Sequence, residues 1–338
     1  MFFKRLPATI VAVAFFQLLY ADQTIHLHSP DGNIELGIER KDNGDLFYKI
    51  TYKEKIVIAS SGLGFKLISP ETSLRKFDIV KTDSSQIDEI WKPVWGEQNS
   101  IRNAYKQLAL KLNDHSGSGI TINIIFRVFN EGVGFRYEFP RQPQLKYFII
   151  ADEVTEFNLT GDHKTFWIPG DYDSNEYPYT TSDLSEVDGW KIPIISSEPR
   201  GIYEPDRFAV QTPLMMKTAD GLYINIHEAA LVNFPSMQLH VNRTNFSLSC
   251  NLVPDAYGNK AYLRTPSYGP WRTIIVSDKA IDILASRMIL NLNEPSKIAN
   301  TSWIQPMKFI GVWWEMQTGK GSWSYSDNPD SFSAKGNG

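Results

Sequence analysis

The chain has 338 residues, with 34 Lys and Arg against 38 Asp and Glu and a net charge of −4. That length holds one large domain or two ordinary ones, and the absence of a basic block or an acidic tail argues against nucleic acid as a partner. Cys250 is the only cysteine, so no intrachain disulfide can form and a Cys/His zinc cluster is improbable.

At the N-terminus Lys4 and Arg5 precede an apolar run from Leu6 to about Leu19, broken only by Pro7, Thr9 and Gln17. Leu19-Tyr20-Ala21 then puts a small residue before Asp22. This order predicts a signal peptide over residues 1–21. The run falls short of the ~20 apolar residues of a membrane span, so no stable span is expected after cleavage. A secreted chain of this size without disulfides fits a bacterial periplasm. In that setting the glycosylation sequons at Asn158, Asn242, Asn245 and Asn300 are chance products of a chain with many Asn, Ser and Thr.

From Gln23 to about Ser277 the pattern is strand after strand. Residues 33–39 alternate polar and apolar, Asp42-Asn43-Gly44-Asp45 makes a turn, and residues 46–52 return. Residues 120–129 form another strand, and Asn130-Glu131-Gly132-Val133-Gly134 turns it into residues 135–139. Residues 221–228 alternate again. The clearest helical candidate runs from about Asp278 to Met288, with Ser277 as N-cap and Ile281, Leu284, Ala285 and Met288 on one face. So many short strands predict a mainly β fold, a large two-sheet β-sandwich over residues 22–300, because each one-sided sheet must bury its apolar face. Pro306 interrupts regular structure just before an apolar strand at residues 309–314.

Three places carry candidate chemistry. The strand of residues 222–226 leads into His227-Glu228, and a carboxylate at a strand end is a hard oxygen ligand of the kind calcium takes, or a surface Glu in a salt bridge. One carboxylate cannot hold calcium alone. Residues 167–177 mix Trp167, Tyr172 and Tyr177 with Asp171, Asp173 and Glu176, which suits sugar contact but equally describes a solvated loop anchored by a core Trp. Trp313-Trp314-Glu315 closes the last apolar strand. If that strand begins a parallel barrel, its end opens into an active site with Trp313 and Glu315 on one side; otherwise the Trp pair plugs a gap between domains. His26 and His28 are expected as surface polar residues. No Walker loop, GxGxxG or GxSxG element occurs.

Read together, these stretches resemble glycoside hydrolase family 97. The resemblance rests on Ser29-Pro30-Asp31-Gly32-Asn33, Ser61-Gly62-Leu63-Gly64-Phe65, Trp95-Gly96-Glu97 and Asn130–Tyr137. Sharper are Ile226-His227-Glu228-Ala229-Ala230-Leu231, Pro270-Trp271-Arg272-Thr273 and, sharpest, Gly311-Val312-Trp313-Trp314-Glu315-Met316. It implies a galactose-mutarotase-like super-sandwich followed, in residues 301–338, by a linker and the truncated start of a catalytic (β/α)8 barrel. It also implies exo-acting, calcium-dependent hydrolysis of α-linked glucosides in oligosaccharides, with Glu228 as a calcium ligand and Trp313 and Glu315 as substrate contacts. The catalytic carboxylates, which must flank the scissile bond as a pair, are expected outside this chain, so the chain alone is expected to be inactive. Two rival readings stand beside this one: a free-standing carbohydrate-binding sandwich, and a mutarotase-like isomerase, for which no Glu/His pair singles itself out.

Overall fold

The computed structural model describes residues 23–192 and 206–308. Within them the chain folds as antiparallel strands in four sheets: one of ten strands and three of four. The large sheet runs, in spatial order, through Thr180–Asp183, Lys164–Trp167, Leu214–Lys217, Tyr223–Ala229, Trp271–Ser277, Gly132–Phe139, Thr121–Phe129, Ile101–Asp114 and Phe77–Trp91, with Ser267–Tyr268 added beside Gly132–Phe139. The three small sheets share one buried core with this large one. The expected sandwich is therefore present, with its second layer split into three sheets.

Alternation sets the layers. In Thr121–Phe129, Ile122, Ile124, Phe126 and Val128 are fully buried and face the small sheets, while the residues between them point outward. Ile34–Arg40 and Leu46–Tyr52 pair with Arg40 opposite Leu46, so the turn at residues 42–45 falls where its Gly and Asp residues predict. Trp271–Ser277 departs from alternation because every residue in it is buried. It lies mid-sheet. The small sheets cover one face, and Met288, Leu292, Tyr105, Phe129 and Ile275 pack with Trp271 on the other.

The helical segment differs from expectation. It is two short helices, Ala280–Ala285 and Met288–Asn291, interrupted at Ser286-Arg287. Ile281 and Leu284 are exposed, and the apolar contacts come instead from Ile283, Met288, Ile289 and Leu292. The interruption shifts the angular phase, so one 3.6-residue repeat cannot describe both pieces. Ser277 does not cap the first helix. Its hydroxyl accepts from the Lys279 amide and donates to Asp282.

Among the described residues, those up to Glu294 form one compact unit and those from Pro295 belong to a second. The expected signal peptide and the expected barrel strand with Trp313 and Glu315 lie outside the described residues. No described helix is long and apolar enough to cross a membrane.

Candidate functional site

Glu228 sits near the end of Tyr223–Ala229, directly opposite Arg272 on the neighbouring strand. It is not a surface residue; its side chain is 6% exposed. Arg272 Nη1 donates to Glu228 Oε2 at 2.6 Å, and the Met237 amide donates to Oε1 at 3.1 Å. The same guanidinium reaches across the sandwich to Glu153, with Nε to Oε1 at 2.9 Å and Nη2 to Oε2 at 2.6 Å. Arg272 thus holds Glu153 with a two-pronged fork and Glu228 with a single bond. Glu153 is anchored further by the Thr155 hydroxyl, which itself meets the Tyr137 hydroxyl, and Tyr137 accepts from the Gly64 amide. The cluster is a buried hydrogen-bonded chain joining both layers.

Alternation explains why one strand can build it. Trp271 points to the outer face, where its ring lies 4.7 Å from both the Arg127 and the Arg136 guanidinium. Arg272, the next residue, must point inward. An arginine in an otherwise apolar buried strand requires carboxylate partners, and two supply them.

Two carboxylates face one guanidinium, so with both ionised the cluster would carry one negative charge in excess. Glu153 is fully matched, and Glu228 is the under-compensated member. Burial raises the Glu228 carboxyl above its ordinary value, and Arg272 and the Met237 amide offset this only in part. For Arg272, burial opposes its charge but the two carboxylates outweigh it, so it stays cationic. Each Glu228 oxygen has one donor and, by lone-pair count, room for another. The chain leaves the strand through Ala230 and Asn233, both with φ +53°, a left-handed conformation uncommon for residues with a side chain.

These features suit a hard cation at Glu228: an anionic oxygen donor, spare lone pairs and excess negative charge. They do not complete a site. Among the described residues no group of three or more His, Cys, Asp and Glu is placed to hold a metal. Further ligands would have to come from elsewhere.

The loop at residues 167–177 is built as a core anchor. Trp167 and Tyr177 are buried, and the Asp171 carboxylate turns inward to accept from the Asp173 and Ser174 amides and from the Tyr177 hydroxyl at 2.5 Å. His26 and His28 are exposed, and His26 pairs with Glu35. His227 is half-buried against Thr212, and burial lowers its pKa. Glu153 and the role of Arg272 escaped the sequence reading. The one available signal was a charged residue amid Trp271, Ile274, Ile275 and Val276.

Residues 27–295 match the family model described as glycosyl-hydrolase 97 N-terminal. The chain belongs to glycoside hydrolase family 97. A retaining alpha-galactosidase of Bacteroides thetaiotaomicron is 25% identical over 341 residues, which cover 92% of this chain and 47% of the relative. Structures of a family 97 enzyme from Pseudoalteromonas sp. strain K8 are 32% identical. One is a variant, with TM-score 0.77; another is a complex with acarbose, with TM-score 0.76. Both matches cover 88% of this chain and 42% of the other. A third structure of that enzyme is a complex with panose. A beta-arabinopyranosidase at 17% identity and TM-score 0.63 shares the fold. The chain therefore spans about half the length of the relatives it matches, and the family match falls on the sandwich, which contains Glu153, Glu228 and Arg272.

Proposed function

We propose that this family 97 domain serves a calcium-dependent, exo-acting hydrolase of α-linked glucosides, and that its contribution to the reaction is the Glu228 carboxylate. The observation that carries the reading is that two buried carboxylates share one guanidinium, which forks onto Glu153 and gives Glu228, at a strand end, a single bond. Calcium bound there would supply Lewis acidity and a template for substrate oxygens. Arg272 fixes the Glu228 carboxylate in place, and Glu153 keeps Arg272 from neutralising it fully. The reacting carboxyl pair belongs to the barrel in this reading, and Trp313 and Glu315 contact the substrate at its first strand. The acarbose and panose complexes of the Pseudoalteromonas enzyme support the glucoside assignment. The N-terminal Lys4-Arg5 and apolar run support secretion to the periplasm.

The Bacteroides relative gives a specific reason for a second reading, an α-galactoside as substrate. A hybrid enzyme tests the metal role. Residues 27–295 replace the matching domain of a family 97 enzyme, and nitrophenol release is followed with calcium and with chelator. A calcium response that is lost with Glu228→Gln is expected, and activity indifferent to Glu228→Gln would remove the metal role. The two substrates are separated by titrating the 338-residue chain, which carries Trp313 and Glu315, with the α-glucoside and the α-galactoside; tighter binding of the galactoside would replace the glucoside assignment.

A further inference from the structure

Beside the segment that leaves the Glu228 strand end, the sandwich carries a groove with its own chemistry. Two adjoining hollows of about 860 and 680 Å³ share Tyr147, Arg264 and Pro266 in their walls. Each lies in the range of ~300–1,000 Å³ that takes a compact organic ligand. The walls come from Tyr147–Glu153 and Ala261–Arg264, which pair with one another, from the segments at residues 141–146 and 265–268, and, in the larger hollow, from Ser69, Val232 and Asn233.

Three tyrosine rings line the larger hollow. Tyr147, Tyr262 and Tyr268 are 65%, 58% and 46% exposed. Two of them are fixed in place: Tyr268 lies over the Arg136 guanidinium at 4.6 Å, and the Tyr262 hydroxyl is held by Asp255 and Asn259. Three cations join them, Arg141, Lys146 and Arg264. None makes an ion pair with a described residue, and no carboxylate is among the residues lining either hollow. The nearby carboxylates are engaged, Asp255 with Tyr262 and Glu138 with Arg136. A chain of net charge −4 has thus gathered three unpaired cations beside three exposed aromatic faces.

We propose that this groove binds an anionic oligosaccharide, one whose sugars carry carboxylates. Tyrosine faces take the apolar C–H faces of pyranose rings, and their rigid rings lose little entropy on binding. Arginine forks match carboxylates two bonds at a time. Neutral sugars would leave the three cations unused, and an acidic peptide would leave the rings unused. The groove lies within the sandwich, so the occupant is held by this chain itself whatever the linkage cleaved elsewhere.

The test is calorimetric titration of the 338-residue chain at about 0.05 M salt. The probes are tetragalacturonate, maltotetraose as the neutral α-linked control of equal length, and hexaglutamate. Tetragalacturonate should bind at least ~10-fold tighter than either control and weaken ~10-fold at about 0.5 M salt. Arg264→Ala and Tyr147→Ala should each weaken it about fivefold or more with an unchanged circular dichroism spectrum, since both side chains are exposed. Equal affinity for maltotetraose would overturn the anionic occupant, equal affinity for hexaglutamate would overturn the sugar, and no binding by the folded chain would overturn the groove. Hydrolysis is not measured here, so the substrate assignment stands or falls separately.

Discussion

Arg272 is the residue on which both stability and the proposed metal site converge. Among the described residues its guanidinium is the only group matched to the Glu153 carboxylate by a fork. Arg272→Met would leave two buried carboxylates facing an apolar side chain. We expect a loss of about 3–5 kcal/mol in urea unfolding, the usual result of removing one partner from a buried ion pair. Glu228→Gln loses one bond, because an amide oxygen that accepts from Met237 leaves the amide nitrogen facing the Arg272 donor, but it also removes a buried charge, which offsets part of the loss. A loss of about 1–2 kcal/mol is expected, small enough for a folded variant to be assayed. A loss as large as that of Arg272→Met would mean that Glu228 is mainly structural.

A second pair gives a pH signature. His240 Nδ1 lies 2.6 Å from Asp206 Oδ2. That bond raises the His240 pKa, and burial lowers it by less. For Asp206, burial works upward but the bonds from His240 and the Phe208 amide prevail, leaving its pKa lowered. The histidine contribution is complete below ~6.5 and is lost as pH rises through its raised folded value. The aspartate contribution is present above ~3.9 and is lost as pH falls through its lowered value. The pair therefore stabilises the fold most between those limits. Because His240 is partly exposed, the effect should stay below ~1 kcal/mol. His240→Gln should flatten the stability profile just above ~6.5, and an unchanged slope there would contradict this.

At the scale of elements, the strand Gly132–Phe139 shows how closely the sheet is packed at its centre. A Cβ added at Gly132 would lie 2.2 Å from the Ile274 carbonyl oxygen on the adjoining strand. Gly132→Ala should cost at least ~2 kcal/mol, since neither backbone can retreat from a sheet covered on both faces. The sequence reading assigned residues 130–134 to a turn, yet Gly132 and Gly134 lie in the strand. Composition alone could not separate a turn glycine from one required by close approach of a neighbour. The helical segment was misread for a related reason. Ile281 and Leu284 fit one apolar stripe, but the break at Ser286-Arg287 leaves them in solvent and buries Met288. Ile281→Ser and Leu284→Ser should change stability by less than ~0.5 kcal/mol, and Met288→Ala should cost ~2–5 kcal/mol. The reverse order would restore the single-helix reading.

For the whole molecule, the β class and the layering were legible because alternation reports which face is buried, as at residues 34–40, 46–52 and 121–129. The split of the second layer was not legible, since pairing between distant strands leaves no local pattern. The same limit hid the Glu228 environment. Its strand-end position can be read from residues 222–228, but Glu153 joins through Arg272 across 119 residues of sequence. The sequence called Glu228 either a calcium ligand or an exposed salt-bridged Glu, and the structure gives a buried residue with an ion pair and unspent charge. Calcium affinity would then depend on a balance set inside the sandwich.

In the proposed function this chain would give a metal ligand, Glu228, to a hydrolase whose reacting carboxylates belong to another domain. That role is tested most directly by nitrophenol release from an α-glucoside, measured side by side for the 338-residue chain and for the hybrid bearing residues 27–295, with calcium and with chelator. No turnover by the chain alone is expected, with calcium-dependent turnover by the hybrid and loss of that calcium response with Glu228→Gln. Turnover by the chain alone, or a hybrid whose calcium response survives Glu228→Gln, would contradict the proposed function.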